Sequence, residues 1–173
     1  MNETVRNLVS RRSVRSYSGR RVEKEVLEEI LEAGMYAPSG MGRQSAVMVA
    51  VTDPEQVYDL SMMNAAVLGA DSDPFYGAGT VIIVFADSTV HTYIEDGSLV
   101  MGNLMNAAHS LGVDSCWIHR AREVFETPEG KALMKKWGLD EKYKGIGNCI
   151  LGYSDKPVPE ARPRKGDFII YGE

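Results

Sequence analysis

Apolar residues recur along the chain with two periods, and the switches between them mark out the elements. Val5, Leu8 and Val9 fall at helical spacing, and Val26, Leu27, Ile30 and Leu31 share one face of a second segment whose other face carries Glu. Amphipathic helices are therefore predicted over residues 3–9 and 23–36. The second stops at Ala37-Pro38-Ser39-Gly40-Met41-Gly42, a Pro/Gly break that leads into Ala46-Val47-Met48-Val49-Ala50-Val51, a β-rich run read as a buried strand. Thr52-Asp53-Pro54-Glu55 supplies a cap and a first-turn proline, which predicts a short helix to about Met63. Further strands are predicted over 80–86, 115–119 and 146–153, separated by helical stretches. Such alternation indicates an α/β or α+β sandwich rather than a bundle.

Two segments stand apart from this pattern. From about Asp96 to Leu111, Leu99, Val100, Met101, Leu104, Met105, Ala107 and Ala108 leave little polar surface on any side of a helix, while Gly97, Gly102 and Ala108 permit close approach of another backbone. A helix that apolar has to be covered all round. A chain of 173 residues has little material to spare for it, so a subunit interface is the expected cover. Residues 154–173 contain Pro157, Pro159 and Pro163 and read as an extended C-terminal arm ending in a last short strand, Phe168-Ile169-Ile170-Tyr171. One domain spanning 1–173, arm included, is the expected organisation.

Charge changes the picture most. Residues 1–21 hold six Arg, no Lys and a single acid, Glu3, a local charge of +5 in a chain of net charge -5, so the remainder carries -10. Segregation this sharp has several physical explanations: an Arg- and Ser-rich processing segment, a basic arm for nucleic acid, a compact anion site, or simply a solvated helix end. A helical pattern that begins at Glu23 leaves no linker for processing, and an isoelectric point near 5.3 speaks against a large polyphosphate footprint. In a compact anion site, a few guanidiniums and hydroxyls hold one phosphate through charge-assisted, often bidentate hydrogen bonds. Arg162, Arg164 and Lys165 form a second basic cluster near the other end, and the two would make one strong pocket if they converged.

Other chemistry is poorly represented. Cys116 and Cys149 each sit in an apolar run and read as buried, reduced thiols. His91, His109 and His119 lack metal-ligand spacing, so no metal site is expected. The run Gly145-Ile146-Gly147-Asn148-Cys149-Ile150-Leu151-Gly152 imitates a dinucleotide fingerprint, but its last Gly falls two residues late and the run is β-like, where glycine permits close backbone packing. Neither a phosphate-binding Walker loop nor a G-x-S-x-G elbow occurs, and no catalytic triad or carboxylate pair stands out. Without a secretory signal or an apolar run long enough to span a bilayer, a soluble cytoplasmic protein with no membrane or nucleic-acid partner is expected.

Four blocks in this order and spacing resemble the FMN-dependent nitroreductases: RRSVRSY at 11–17, APSGMGRQ at 37–44, NLMNAAHSLGVDSCWIHRAREVF at 103–125, and LGYSDKPVPEARPRKGD at 151–167. The resemblance implies an α+β fold, an α/β/α sandwich around a mixed, mainly antiparallel sheet, in an intertwined homodimer with FMN at the interface. It implies that Arg11, Arg12, Ser13 and Arg15 hold the phosphate, ribityl and pyrimidine end of the flavin, and that Arg162 and Arg164 close on the phosphate, with Lys165 a further member. Pro38, Ser39 and Gly40 match the segment that the other subunit lays against the flavin ring, and Gln44 matches a polar residue near it. Trp117, Ile118, His119 and Arg120 match the strand end along one flavin face, with a backbone N–H near His119 or Arg120 meeting the hydride-accepting ring nitrogen.

On that resemblance the flavin carries the chemistry, taking a hydride from NADH or NADPH and passing electrons to nitroaromatics, quinones or similar flat acceptors in a ping-pong cycle, so no side chain is assigned as catalytic. A flavin-binding sensor or store and a dehalogenase-like flavoenzyme are the alternatives. The chain departs from the family pattern at Gly42, where Asn is common, and at Ser45-Ala46, where an aromatic is common. The short connection from Met62 to Pro74 implies that the long substrate lid of dehalogenating relatives is missing.

Overall fold

The computed structural model describes residues 1–172. Its centre is β2 (Thr80–Asp87), whose sequence TVIIVFAD is apolar without alternation because both faces are covered, and Val81 through Ala86 are fully buried. β2 pairs antiparallel with β1 (Ala46–Val51) on one side and β4 (Tyr143–Gly152) on the other, and β3 (Asp114–Ile118) pairs antiparallel with β4, giving the order β1-β2-β4-β3. The expected mixed sheet is therefore antiparallel in every strand pairing, and the one parallel contact among the described residues is an isolated bridge between Ser13 and Ser115 at the β3 edge.

Alternation along β2 divides the core in two. Val81, Ile83 and Phe85 pack with α3 (Pro54–Leu68), α5 (Ala121–Glu126) and α6 (Pro128–Lys136), where Phe85 meets Phe125 edge-on at 4.7 Å between centroids. Ile82, Val84 and Ala86 pack with α2 (Lys24–Met35) and α4 (Tyr93–Ser110). Helix α1 (Glu3–Ser10) lies against α4, with the Asn7 side-chain amide donating to the Asn106 carbonyl at 2.9 Å.

The elements follow the hydrophobic pattern, but β1, read as a buried strand, is an edge strand in which only Val51 is buried, and two further differences are instructive. Helix α3 runs to Leu68, past the predicted end near Met63, because Asn64-Ala65-Ala66-Val67 offers no breaker until Gly69 takes the left-handed C-cap at φ 72°. Its start is as predicted, with the Asp53 carboxylate accepting from the Gln56 N–H at 3.0 Å. Asp53→Ala is expected to cost about 1 kcal/mol, read as a lower urea midpoint at unchanged m-value.

The second difference is the predicted strand Phe168-Ile169-Ile170-Tyr171, which does not form. Beyond β4 the described residues contain neither helix nor strand, and these four side chains are exposed. An isolated extended segment has no ladder to join, so a strand-like pattern alone cannot make a strand. Helix α4 buries Gly97, Val100, Met101, Leu104 and Ala108 inside the protomer, yet Ile94 and Leu99 remain 43% and 46% exposed.

Candidate functional site

Arg11 caps the C-terminus of α1, and from there RRSVRSY is laid along the outer edge of β3. Val14 N–H donates to the Ser115 carbonyl at 3.1 Å, Tyr17 N–H to Tyr76 at 3.1 Å, and Ser18 N–H to Tyr153 at 3.0 Å. The Tyr17 hydroxyl donates back to the Val14 carbonyl at 2.9 Å, and burial pushes its ionisation well above the ordinary range, with Cys116, Cys149 and Asp114 adding to the shift and Arg15 opposing it. Tyr17 is therefore a neutral pin. Val14 is buried, while Arg11, Ser13 and Arg15, at alternate positions, all lie close to Cys116. An extended backbone sends alternate side chains to one side, so R-x-S-x-R gathers two guanidiniums and a hydroxyl. Burial raises the Cys116 thiol more than these three groups lower it, and burial with the neighbouring Cys116 pushes Cys149 up to about 12. Neither cysteine is in a disulfide.

Arg11 and Arg12 are used differently. Arg12 Nη1 donates to the Val9 and Arg11 carbonyls at 2.7 and 2.8 Å, which holds the chain's turn out of α1. Arg12 also lines, with His109, Gly112, Val113, Asp114, Ser115 and Val158, a recess of about 250 Å³. Arg11 Nη1 is enclosed and has no hydrogen-bond partner among the described residues, and the Ser115 hydroxyl is enclosed in the same way. An orphaned buried donor costs about 1–3 kcal/mol, so a guanidinium left in this condition fits an anionic ligand that completes it.

The loop after α2 is held from behind by Asp96, a carboxylate only 2% exposed in the first turn of α4. Asp96 accepts from the Gly40 N–H at 2.8 Å, the Ser45 hydroxyl at 2.6 Å and the Thr92 hydroxyl at 3.3 Å. Burial opposes its ionisation, but hydrogen bonds from Ser45, Gly40 and Thr92 and the charge of His91 outweigh it, holding the carboxyl below the ordinary Asp range. A Cβ on Gly40 would collide with the Thr92 side chain, so this position requires glycine. Met41 and Gln44 sit at φ 54° and 48°, a conformation that costs a side-chain-bearing residue energy and persists only where its surroundings enforce it. The Ser39 hydroxyl accepts from the Gln44 N–H at 3.0 Å, and Pro38 and Gln44 are exposed.

At the end of β3 the Trp117 indole lies across Gly147 of β4, where a Cβ would come within 2.6 Å of Nε1. His119 is exposed, but its carbonyl is buried in contacts: Asn64 Nδ2 donates to it at 2.8 Å and Asn148 Nδ2 at 3.5 Å. Arg120, the N-cap of α5, is at φ 73°, and its Nε donates to Asn64 Oδ1 at 3.2 Å.

The structure thus brings Arg11, Ser13 and Arg15 alongside β3, which carries Trp117 and Ile118 and leads into His119 and Arg120, because the parallel bridge runs the basic stretch toward the strand end. It does not hydrogen-bond Pro38, Ser39, Gly40 or Gln44 to that group, and Arg162 and Arg164 are exposed on the arm with no hydrogen bond to the first cluster among the described residues. Val158, nearer the root of the arm, does reach the Arg12 recess. Sequence reasoning missed Asp96, Asn64 and Asn148; only Asn148 carried a signal, as a lone polar residue inside an apolar strand. A larger groove of about 1040 Å³ between α3 and α6, lined by Met62, Met63, Leu133 and Trp137, contains none of these residues. Among the described residues no His, Cys, Asp or Glu group could hold a metal, and no helix is long and apolar enough to cross a membrane.

The sequence model of the nitroreductase family matches residues 8–68 and 66–153. The chain belongs to the nitroreductase family. The chain is 32% identical, over the whole of its own length and 99% of the other's, to an Archaeoglobus fulgidus protein provisionally named NADH dehydrogenase/NAD(P)H nitroreductase. Its fold superposes over the full length of both chains on a nitroreductase with bound FMN from Bacteroides fragilis, at TM-score 0.91 and 29% identity. A second such structure, from Desulfitobacterium hafniense, also with bound FMN, matches over both full lengths at TM-score 0.89 and 26% identity.

Proposed function

We propose that this member of the nitroreductase family is an FMN-dependent NAD(P)H oxidoreductase that works as a homodimer and reduces nitroaromatics, quinones or similar flat acceptors by a ping-pong cycle. The observation that carries the reading is the unpaired Arg11 Nη1, enclosed in the stretch with Ser13 and Arg15 that runs beside β3, the strand that leads into His119 and Arg120. Arg11, Arg12, Ser13 and Arg15 hold the phosphate, ribityl and pyrimidine end, and Arg162 and Arg164 close on the phosphate from the arm. Arg15, exposed and charged, offers its guanidinium to an electron-rich ring edge, where preorganised positive charge favours reduction. Bound there, FMN supplies hydride and electron transfer between NADH or NADPH and the acceptor. The chain's part is binding, orientation and electrostatics, which is why the site contains no acid–base pair.

Dimerisation is supported by what the single protomer leaves uncovered. Val5, Leu8, Val9, Met35, Tyr36, Met41 and Leu99 are all exposed, on elements that border α4 or the loop after α2. So much large apolar surface marks an association face. A second copy would cover it, bring its own loop over the flavin and give the terminal arm something to pack on. The dimer is expected to be a soluble protein of the cytoplasm.

The test is the visible spectrum of purified protein, followed by anaerobic addition of NADH or NADPH. Flavin bands near one per subunit that bleach on addition are the expected result. A colourless protein that takes up no added FMN would overturn the reading, and flavin that is bound but never reduced would make it a store.

A further inference from the structure

We infer that Asn64, supported by Asn148, is a positioning residue that aims the Arg120 backbone N–H out of the core toward the flavin ring; the inference rests on the FMN reading above. The His119 carbonyl and the Arg120 N–H belong to one peptide unit, and there is no cis peptide bond among the described residues. A trans peptide is planar, with its C=O and N–H pointing in opposite directions. Whatever fixes the carbonyl therefore aims the amide.

Two buried side chains from separate elements fix it. Asn64, 1% exposed on α3, donates to the His119 carbonyl at 2.8 Å, and Asn148, 3% exposed on β4, donates to the Ile118 carbonyl at 3.3 Å and weakly to that of His119 at 3.5 Å. Asn64 then uses its own oxygen to accept from the side chain that follows this peptide, Arg120 Nε, at 3.2 Å. That closed exchange holds Arg120 at φ 73°, where an arginine would not rest unaided. With the carbonyl turned inward to Asn64, the Arg120 N–H faces away from the core, and it has no acceptor among the described residues. A strained turn with a pinned carbonyl and a free outward amide is a preorganised donor.

The test uses FMN-loaded protein and the variants Asn64→Leu and Asn64→Ser, the second serving if the first does not fold. In the wild type the Arg120 amide resonance is expected to move on addition of FMN. In the variants that response is expected to disappear, with FMN affinity within about threefold of wild type and anaerobic bleaching by NAD(P)H slowed about tenfold at unchanged KM. Variants that keep both the amide response and the wild-type bleaching rate would overturn the inference while leaving the cofactor assignment standing. A loss of FMN affinity as steep as that from truncating Arg11 would also overturn it, because Asn64 would then be holding the cofactor itself. Wild-type protein that takes up no FMN removes the underlying reading and the inference with it.

Discussion

Arg11→Leu is expected to weaken FMN binding by roughly 10- to 150-fold while leaving the apoprotein as stable as before, or more stable. The first half follows from the scale of a hydrogen bond to a charged group, about 1.5–3 kcal/mol, expressed as a dissociation constant. The second half follows from the unliganded geometry. Arg11 Nη1 is enclosed without a partner, so before the phosphate arrives it carries a desolvation cost that an apolar side chain of similar reach does not. The two effects have opposite signs, and few other roles for this residue would combine them. A surface arginine would change neither quantity. A structural one, bonded like Arg12 to the Val9 carbonyl, would lose stability when truncated. Titrating wild type and Arg11→Leu with FMN and melting both apoproteins separates these cases, and unchanged FMN affinity in Arg11→Leu would remove the phosphate from this guanidinium.

What was legible in the sequence was whatever a local pattern encodes. The R-x-S-x-R alternation of Arg11, Ser13 and Arg15 could be read as a cluster, and it becomes one because the backbone there is extended along β3. The apolar run over 80–86 announced the strand β2, though not its burial on both faces, and Asp53 announced the start of α3. The groups that hold the site in shape were less legible, since each acquires its meaning from residues distant in the chain. Asp96 reads locally as an ordinary acid in the first turn of a helix; its partners Gly40 and Ser45 lie 56 and 51 residues away. Asn64 sits in an unremarkable helical stretch and meets His119 across 55 residues. The terminal Phe168-Ile169-Ile170-Tyr171 fails in the other direction. Its pattern is that of a strand, but a strand is a property of a pair, and it pairs with nothing among the described residues.

Residues 11–17 and 117–120 are joined through β3, so their geometry survives in a single protomer. The loop 38–44 and the arm with Arg162 and Arg164 are not joined to them, and on the dimeric reading both would come into place only on association. Subunit exchange and cofactor loss should therefore be coupled, because each protomer would contribute a loop to a site that its partner anchors.

Asp96→Ala is expected to cost about 3 kcal/mol of stability, since it strands the Gly40 amide and the Ser45 hydroxyl and leaves Met41 and Gln44 in left-handed conformations with less to enforce them. For a chain of this size that corresponds to a melting temperature lower by roughly 6–12 °C. Its pH dependence identifies the carboxylate as the cause. Asp96 is held below the ordinary Asp range in the folded protein, so the unfolded chain binds its proton more readily and the ionised form stabilises the fold. That contribution is complete above the unfolded value of about 3.9 and is lost as pH falls from there through the lower folded value. Asp96→Asn keeps the shape but has no such acid limb. The stability difference between wild type and Asp96→Asn should accordingly be flat above about pH 5 and shrink below about pH 4. A difference that stays constant down to pH 3 would mean that packing around Asp96, rather than its charge, fixes the loop. Loosening the loop while leaving Arg11, Ser13 and Arg15 in place should then affect turnover with flat acceptors more than FMN affinity, which separates the covering of the flavin from its capture.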